Sequence, residues 1–277
     1  MKKFDGCLLV SDIDGTLLEN GYINPKNFEA IEEFTHLGGT FCIATGRCVP
    51  AIEHIVCNFK NLTHAIACNG AMIFDYTKNM PIFERCLFDE DKLFFKEFTE
   101  KVKDMGVEVY CGNDVYLANY SDACNQHCAY ENLRPEIVDF DSIMHRKWNK
   151  AMCFYRDGFD ESIIEESIAN FSFKNADFAK AGFELNGVYF RGYEELPGGA
   201  NKGTALKKLT EILGIEKGKT FAIGDYYNDI QLISTADISC CPSGSPQDIK
   251  NTVDFVACAC KEGAVADFIE YLKKADV

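Results

Sequence analysis

No stretch of the 277-residue chain approaches the roughly 18 consecutive apolar residues of a membrane-spanning helix. Only the four-residue apolar run Cys7-Leu8-Leu9-Val10 precedes the first charged cluster, too little for a signal peptide, so a cytoplasmic protein is expected. There is no basic surplus either. Lys and Arg number 28 against 43 Asp and Glu, a formal net charge of −15, which disfavours a nucleic-acid backbone or an anionic membrane as partner. Among 14 cysteines there is no Cys-x-x-Cys pair. The nearest ligand-like group is Cys124 and Cys128 with His127 between them, and adjacent Cys240 and Cys241 are poorly placed for one metal. Cys7, Cys42, Cys68 and Cys153 sit in apolar runs, where a thiol acts as a small hydrophobe, so reduced structural cysteines are expected over a zinc or disulfide framework. Internal repeats and low-complexity linkers are absent as well.

What is present is a large apolar complement, 47% of residues with 22 Phe, enough for one large or two ordinary domains. The runs Cys7–Val10, Thr40–Ala44 and His64–Cys68 are nearly all apolar, each ends in a polar or glycine turn, and helical spacing fills the gaps between them. Such runs predict a parallel sheet buried on both faces. From about Pro81 the pattern changes to aromatic-rich, more alternating strands, with helices expected over Asp89–Met105 and Glu161–Asn170 and a last strand over Phe183–Tyr189. After Tyr193 the first pattern returns, with a helix opening at Asn201-Lys202-Gly203 and stopping at Gly214, then a strand over Thr220–Ile223. The expected fold is therefore α/β: a Rossmann-like, doubly wound parallel-sheet core over residues 1–80 and 193–277, interrupted by a mixed α/β module over 81–192.

The chemistry gathers at the ends of the apolar runs, where parallel sheets collect ligands. Asp12 and Asp14 stand two apart on an extended segment and so face one side, followed at once by Gly15-Thr16. Two carboxylates that close require a cation or a shared proton, which makes the strand end a seat for Mg²⁺. Thr45 with Gly46, Lys202, and Asp225 with Asn228 and Asp229 occupy the corresponding ends elsewhere. These types suit phosphoryl chemistry: a carboxylate nucleophile, a second carboxyl to carry a proton, and a hydroxyl, amides and an ammonium around the phosphoryl oxygens.

The segments DIDGT (Asp12–Thr16), ATGR (Ala44–Arg47), NGA (Asn69–Ala71), NKGTAL (Asn201–Leu206) and GDYYND (Gly224–Asp229) resemble, in order, the haloacid dehalogenase superfamily of phosphatases. The branch they resemble is the Cof-type hydrolases, which carry a large α/β cap between the second and third motifs. The resemblance implies a Mg²⁺-dependent phosphatase acting on a small phosphorylated metabolite, a sugar phosphate first, through an aspartyl-phosphate intermediate. Asp12 is implied as nucleophile and Asp14 as proton carrier, with Mg²⁺ held by Asp12, Asp225 and the Asp14 carbonyl, supported by Asp229. Thr45, Gly46, Lys202 and Asn228 are implied at the phosphate. Arg47 is open between substrate or cap and a surface salt bridge; Asn69 reads as turn chemistry, and His127, His145 and Trp148 as cap structure. A phosphomutase and a non-catalytic phosphometabolite-binding protein are the alternatives, and a monomer or homodimer is expected. The run into the lysine (Glu194–Ala200) and the segment Cys240–Ser245 depart from the family pattern, away from the implied chemistry.

Overall fold

The computed structural model describes residues 2–103, 105–156 and 158–275. In chain order it opens with β1 (Leu8–Ser11), α1 (Pro25–His36), β2 (Thr40–Ala44), α2 (Val49–Val56), β3 (His64–Ala67), β4 (Met72–Asp75) and β5 (Met80–Glu84). There follow α3 (Asp89–Lys101), β6 (Val107–Cys111), β7 (Asp114–Ala118), α4 (Asp122–Tyr130), β8 (Glu136–Val138), α5 (Phe140–Ile143), β9 (Lys150–Arg156), α6 (Ser162–Asn170), β10 (Ala176–Leu185) and β11 (Val188–Pro197). The chain closes with α7 (Lys202–Leu213), β12 (Thr220–Ile223), α8 (Ile230–Thr235), β13 (Ile238–Pro242), α9 (Gln247–Lys250), β14 (Phe255–Ala257) and α10 (Cys260–Lys274). No helix among the described residues is long and apolar enough to cross a membrane.

Two compact units result. One takes in the chain up to Arg47, Ile52–Phe83 and the part from Asn201 onward; the other takes in Cys48–Ala51 and Glu84–Ala200. The first holds a sheet in the order β14-β13-β12-β1-β2-β3-β4-β5, with β14 through β3 parallel and β4 antiparallel to β3. Its central strands are buried on both faces because side chains alternate between two cores. Leu9, Phe41, Ile43, Phe221 and Ile223 pack with Phe34 of α1 and Phe268 of α10, whereas Leu8, Val10, Cys42, Ala44 and Ala222 pack with Leu206 and Leu209 of α7.

The second unit holds a six-stranded sheet in the order β10-β11-β9-β6-β7-β8, antiparallel except for the β7–β8 pair. Phe94, Phe95, Phe98, Val107, Val109, Trp148 and Tyr193 form its core. Trp148 is fully buried and donates its indole N–H to the Ile143 carbonyl, while His127 pairs with the buried Glu108 carboxylate at 2.8 Å.

Three expectations are corrected. The units change over at Phe83/Glu84 and Ala200/Asn201 rather than at 80/81 and 192/193, because β5 completes the first sheet and β11 stays paired with β10 as far as Pro197. The short segment Cys48–Ala51, placed by the sequence in the first unit, groups with the second. Finally, the last strand expected over Phe183–Tyr189 is two strands, β10 and β11, folded back at Asn186-Gly187. Both turn residues have positive φ, 53° and 78°, the requirement of a tight two-residue hairpin.

Candidate active site

The parallel ladder carries β1 one residue past its last strand position: the Asp12 amide donates to the Ile223 carbonyl at 2.9 Å. Asp12 therefore leaves the carboxyl end of β1 beside β12, with its residue 4% exposed. The chain then turns tightly, with the Leu17 and Leu18 amides both donating to the Ile13 carbonyl. Gly15 is required here twice over. Its φ is +83°, and a Cβ at that position would lie 2.4 Å from Asp225 Oδ2. Next to it, the buried Thr16 hydroxyl donates to Asp225 Oδ1 at 3.3 Å.

Lys202 is the first residue of α7, which Asn201 caps by accepting from the Thr204 amide and which ends at left-handed Gly214. Its side chain is fully buried, and Nζ donates at 2.6 Å to Asp12 Oδ1 and at 2.6 Å to Asp229 Oδ1. The other Asp229 oxygen accepts from the Asp225 amide at 3.1 Å, so Asp229 locks the loop that presents Asp225. Burial alone pulls the Lys202 ammonium down, but Asp12 and Asp229 reverse this and push its pKa up. The lysine is therefore a fixed positive charge.

Asp12, Asp225 and Asp229 each offer an oxygen, and these oxygens lie within 4.8 Å of one another. Three carboxylates thus share one ammonium. Burial, then the charge of Asp229, raises the Asp12 carboxyl against the pull of Lys202; the same two causes push Asp225 up to about 6. Surplus negative charge on an all-oxygen donor set is what a hard divalent cation satisfies, so the residues fit the metal that the resemblance implies.

The remaining residues lie around this cluster. Thr45 is buried at the end of β2, and its hydroxyl accepts from the Arg47 amide at 3.1 Å; Gly46 stands between them, partly exposed. Asp14 does not join the trio. Its exposed carboxylate receives Nε and Nη2 of Arg47, each at 2.9 Å, in a two-pronged pair. Asn228 is exposed on the loop that holds Asp225 and Asp229. Two features escaped the sequence reading: the Thr16 hydroxyl on Asp225, whose only signal is its place after Gly15, and the identity of Asp14, 33 residues away, as the partner in the salt bridge that is one of the two expectations for Arg47.

A protein-family model described as haloacid dehalogenase-like hydrolase matches residues 9–269. Two Bacillus subtilis proteins named 5-amino-6-(5-phospho-D-ribitylamino)uracil phosphatase are similar along their length. One is 24% identical over 95% of this chain and 94% of its own, the other 27% over 96% and 97%. Among solved structures, a haloacid dehalogenase-like hydrolase from Bacteroides thetaiotaomicron superposes with a TM-score of 0.80 at 21% identity, covering 96% of this chain and 99% of its own. A sugar phosphatase of haloacid dehalogenase subclass IIB gives 0.78 at 19% identity, covering 96% and 99%.

Proposed function

The chain belongs to the haloacid dehalogenase-like hydrolase family and is a phosphoric monoester hydrolase, and we propose that it dephosphorylates small metabolites, sugar phosphates first, through an aspartyl-phosphate on Asp12. The observation that carries this reading is the convergence of Asp12, Asp225 and Asp229 around the buried ammonium of Lys202. Lys202 holds Oδ1 of Asp12 and leaves Oδ2 as the attacking oxygen. In the first step Oδ2 bonds to phosphorus, the bond to the leaving oxygen breaks, and the Asp14 carboxyl gives that oxygen its proton. In the second, Asp14 takes a proton from water as its oxygen bonds to phosphorus, which releases orthophosphate and returns the Asp12 carboxylate. Thr45, Gly46 and Asn228 would surround the phosphoryl oxygens, and Lys202 keeps the nucleophile oriented.

A divalent cation, proposed to be Mg²⁺, would be held by Asp12, Asp225 and the Asp14 carbonyl with Asp229 in support. Bound there, it would offset the negative charge of phosphate and cluster together. The reading is tested by phosphate release from a panel of sugar phosphates, a phosphorylated ribitylaminouracil, flavin mononucleotide, pyridoxal phosphate and nucleotides, with Mg²⁺ or with chelator. Release that chelator abolishes and Mg²⁺ restores is expected; release unaffected by chelator would remove the metal from the proposal.

Arg47 meets both oxygens of Asp14 with its guanidinium, which orients the ionised carboxylate that takes the proton from water in the second step; the pair opens when Asp14 carries the proton to the leaving oxygen. Arg47→Lys keeps the charge but not the planar fork, so a fall in kcat of about tenfold is expected, close to that of Arg47→Ala. Full activity in Arg47→Lys would show that orientation of Asp14 does not depend on the fork.

A further inference from the structure

Immediately after β3 the backbone turns through three consecutive left-handed residues: Cys68 (φ 50°), Asn69 (φ 51°) and Gly70 (φ 93°). A cysteine in that region is unusual, and a non-glycine residue stays there only where its surroundings hold it. Here the surroundings are the candidate site on both sides. On one side the Cys68 amide donates to the Arg47 carbonyl at 2.9 Å and the Asn69 amide to the Thr45 carbonyl at 3.0 Å. The Asn69 side chain also lies against Gly46, where a Cβ would meet its Oδ1 at 3.1 Å. On the other side a Cβ on Gly70 would fall 2.2 Å from the Asn201 carbonyl oxygen and 3.0 Å from the Lys202 amide. The absent side chain is what lets the first turn of α7 approach. Cys68 and Gly70 are buried, and Asn69 between them is partly exposed.

We propose that the Cys68–Gly70 turn is a positioning element of the reaction, setting the spacing between the Thr45–Arg47 loop and Lys202. This rests on the phosphatase reading. The left-handed run directs two successive amides at the carbonyls of Thr45 and Arg47, which turns those carbonyls toward the turn and fixes the loop that carries the Thr45 hydroxyl and Gly46. Gly70 then sets how closely the first turn of α7, and with it the Lys202 ammonium on Asp12, approaches that loop. Thr45 and Lys202 lie on different elements far apart in sequence, and the turn contacts both segments. Positioning residues of this kind act on kcat, because a misplacement of about 1 Å costs on the order of 10²-fold in rate.

Three variants test it: Gly70→Ala, Asn69→Gly, and Gly214→Ala as control. Gly214 is also left-handed (φ 66°), but a Cβ there meets nothing within 4 Å. Each is assayed for kcat and KM on p-nitrophenyl phosphate with Mg²⁺, for orthovanadate affinity by calorimetry, and for Tm. Gly70→Ala is expected to lose about 10²-fold in kcat and Asn69→Gly about tenfold, with KM changing by no more than about threefold. Gly214→Ala is expected to lower Tm and leave kcat unchanged. Gly70→Ala behaving like Gly214→Ala would overturn the proposal, as would parental kcat in Asn69→Gly. If Gly70→Ala does not fold, Asn69→Gly decides, since glycine adopts that φ readily. If the parent hydrolyses nothing, the phosphatase reading fails separately. The turn is then judged on orthovanadate alone, weakened tenfold or more in Asn69→Gly if it positions the loop and unchanged if it does not.

Discussion

Replacing Asp12 with Asn is expected to abolish phosphate release, by about 10⁴-fold or more, the scale of loss when a nucleophile is removed. The substitution keeps the shape of the side chain and leaves an amide oxygen to accept from Lys202, so the turn and the sheet end are preserved. What it removes is the anionic oxygen that bonds to phosphorus. Its effect on stability runs the other way. Burial and Asp229 already raise the Asp12 carboxyl, so its charge is held at a cost in the metal-free protein. Asp12→Asn should therefore have a Tm equal to or above that of the parent in chelator. Parental turnover in this variant would show that the nucleophile lies elsewhere, and a collapsed Tm would show that the carboxylate is structural.

The second large effect is expected at Lys202, where Lys202→Met is predicted to lose both activity and stability. The ammonium is fully buried and bonds two carboxylates, so its removal leaves Asp12 and Asp229 facing each other and Asp225 without a counter-charge. Breaking a buried ion pair from one side costs about 3–5 kcal/mol, on the order of 10 °C in Tm for a protein of this size. The loss should depend on pH in a definite direction. Lys202 lowers the Asp12 and Asp225 carboxyls, so without it both rise further above their unfolded values. The folded variant then holds more protons than the unfolded chain, and its stability falls as pH rises above the carboxylate range. Thermal melts between pH 5 and 8 measure this: a Tm that drops with pH more steeply than the parent's is expected. Identical pH profiles would mean that the three carboxylates are not coupled through the lysine.

Much of this site was legible because it is built from local rules. Asp12 and Asp14 mark the end of an apolar run, and Gly15 marks the turn that only glycine allows. Asn201 and Gly214 bracket α7 as a helix cap and a left-handed stop, which places Lys202 at its first position. What could not be read depends on partners distant in the chain. The Arg47–Asp14 salt bridge spans 33 residues, and no local pattern names Asp14 as the partner of Arg47. A turn at Asn69-Gly70 is expected, but Cys68 has no preference for the left-handed region, so the start of the turn at Cys68 is imposed by tertiary hydrogen bonds to Thr45 and Arg47. The β10–β11 hairpin is a different case. Asn186-Gly187 is a strong turn signal, yet the strand expected over Phe183–Tyr189 runs straight across it. The limits of the inserted unit moved for a related reason: β5 joins the first sheet and β11 stays paired with β10 as far as Pro197, which pairing decides and composition does not.

The most direct measurement of the central claim is the stereochemical course at phosphorus. A substrate phosphoryl group made chiral with sulfur and oxygen isotopes, hydrolysed in isotopically labelled water, reports the number of in-line displacements. Attack by Asp12 followed by attack by water makes two inversions, so retention of configuration is predicted. Net inversion, the mark of a single displacement by water, would contradict an aspartyl-phosphate on Asp12.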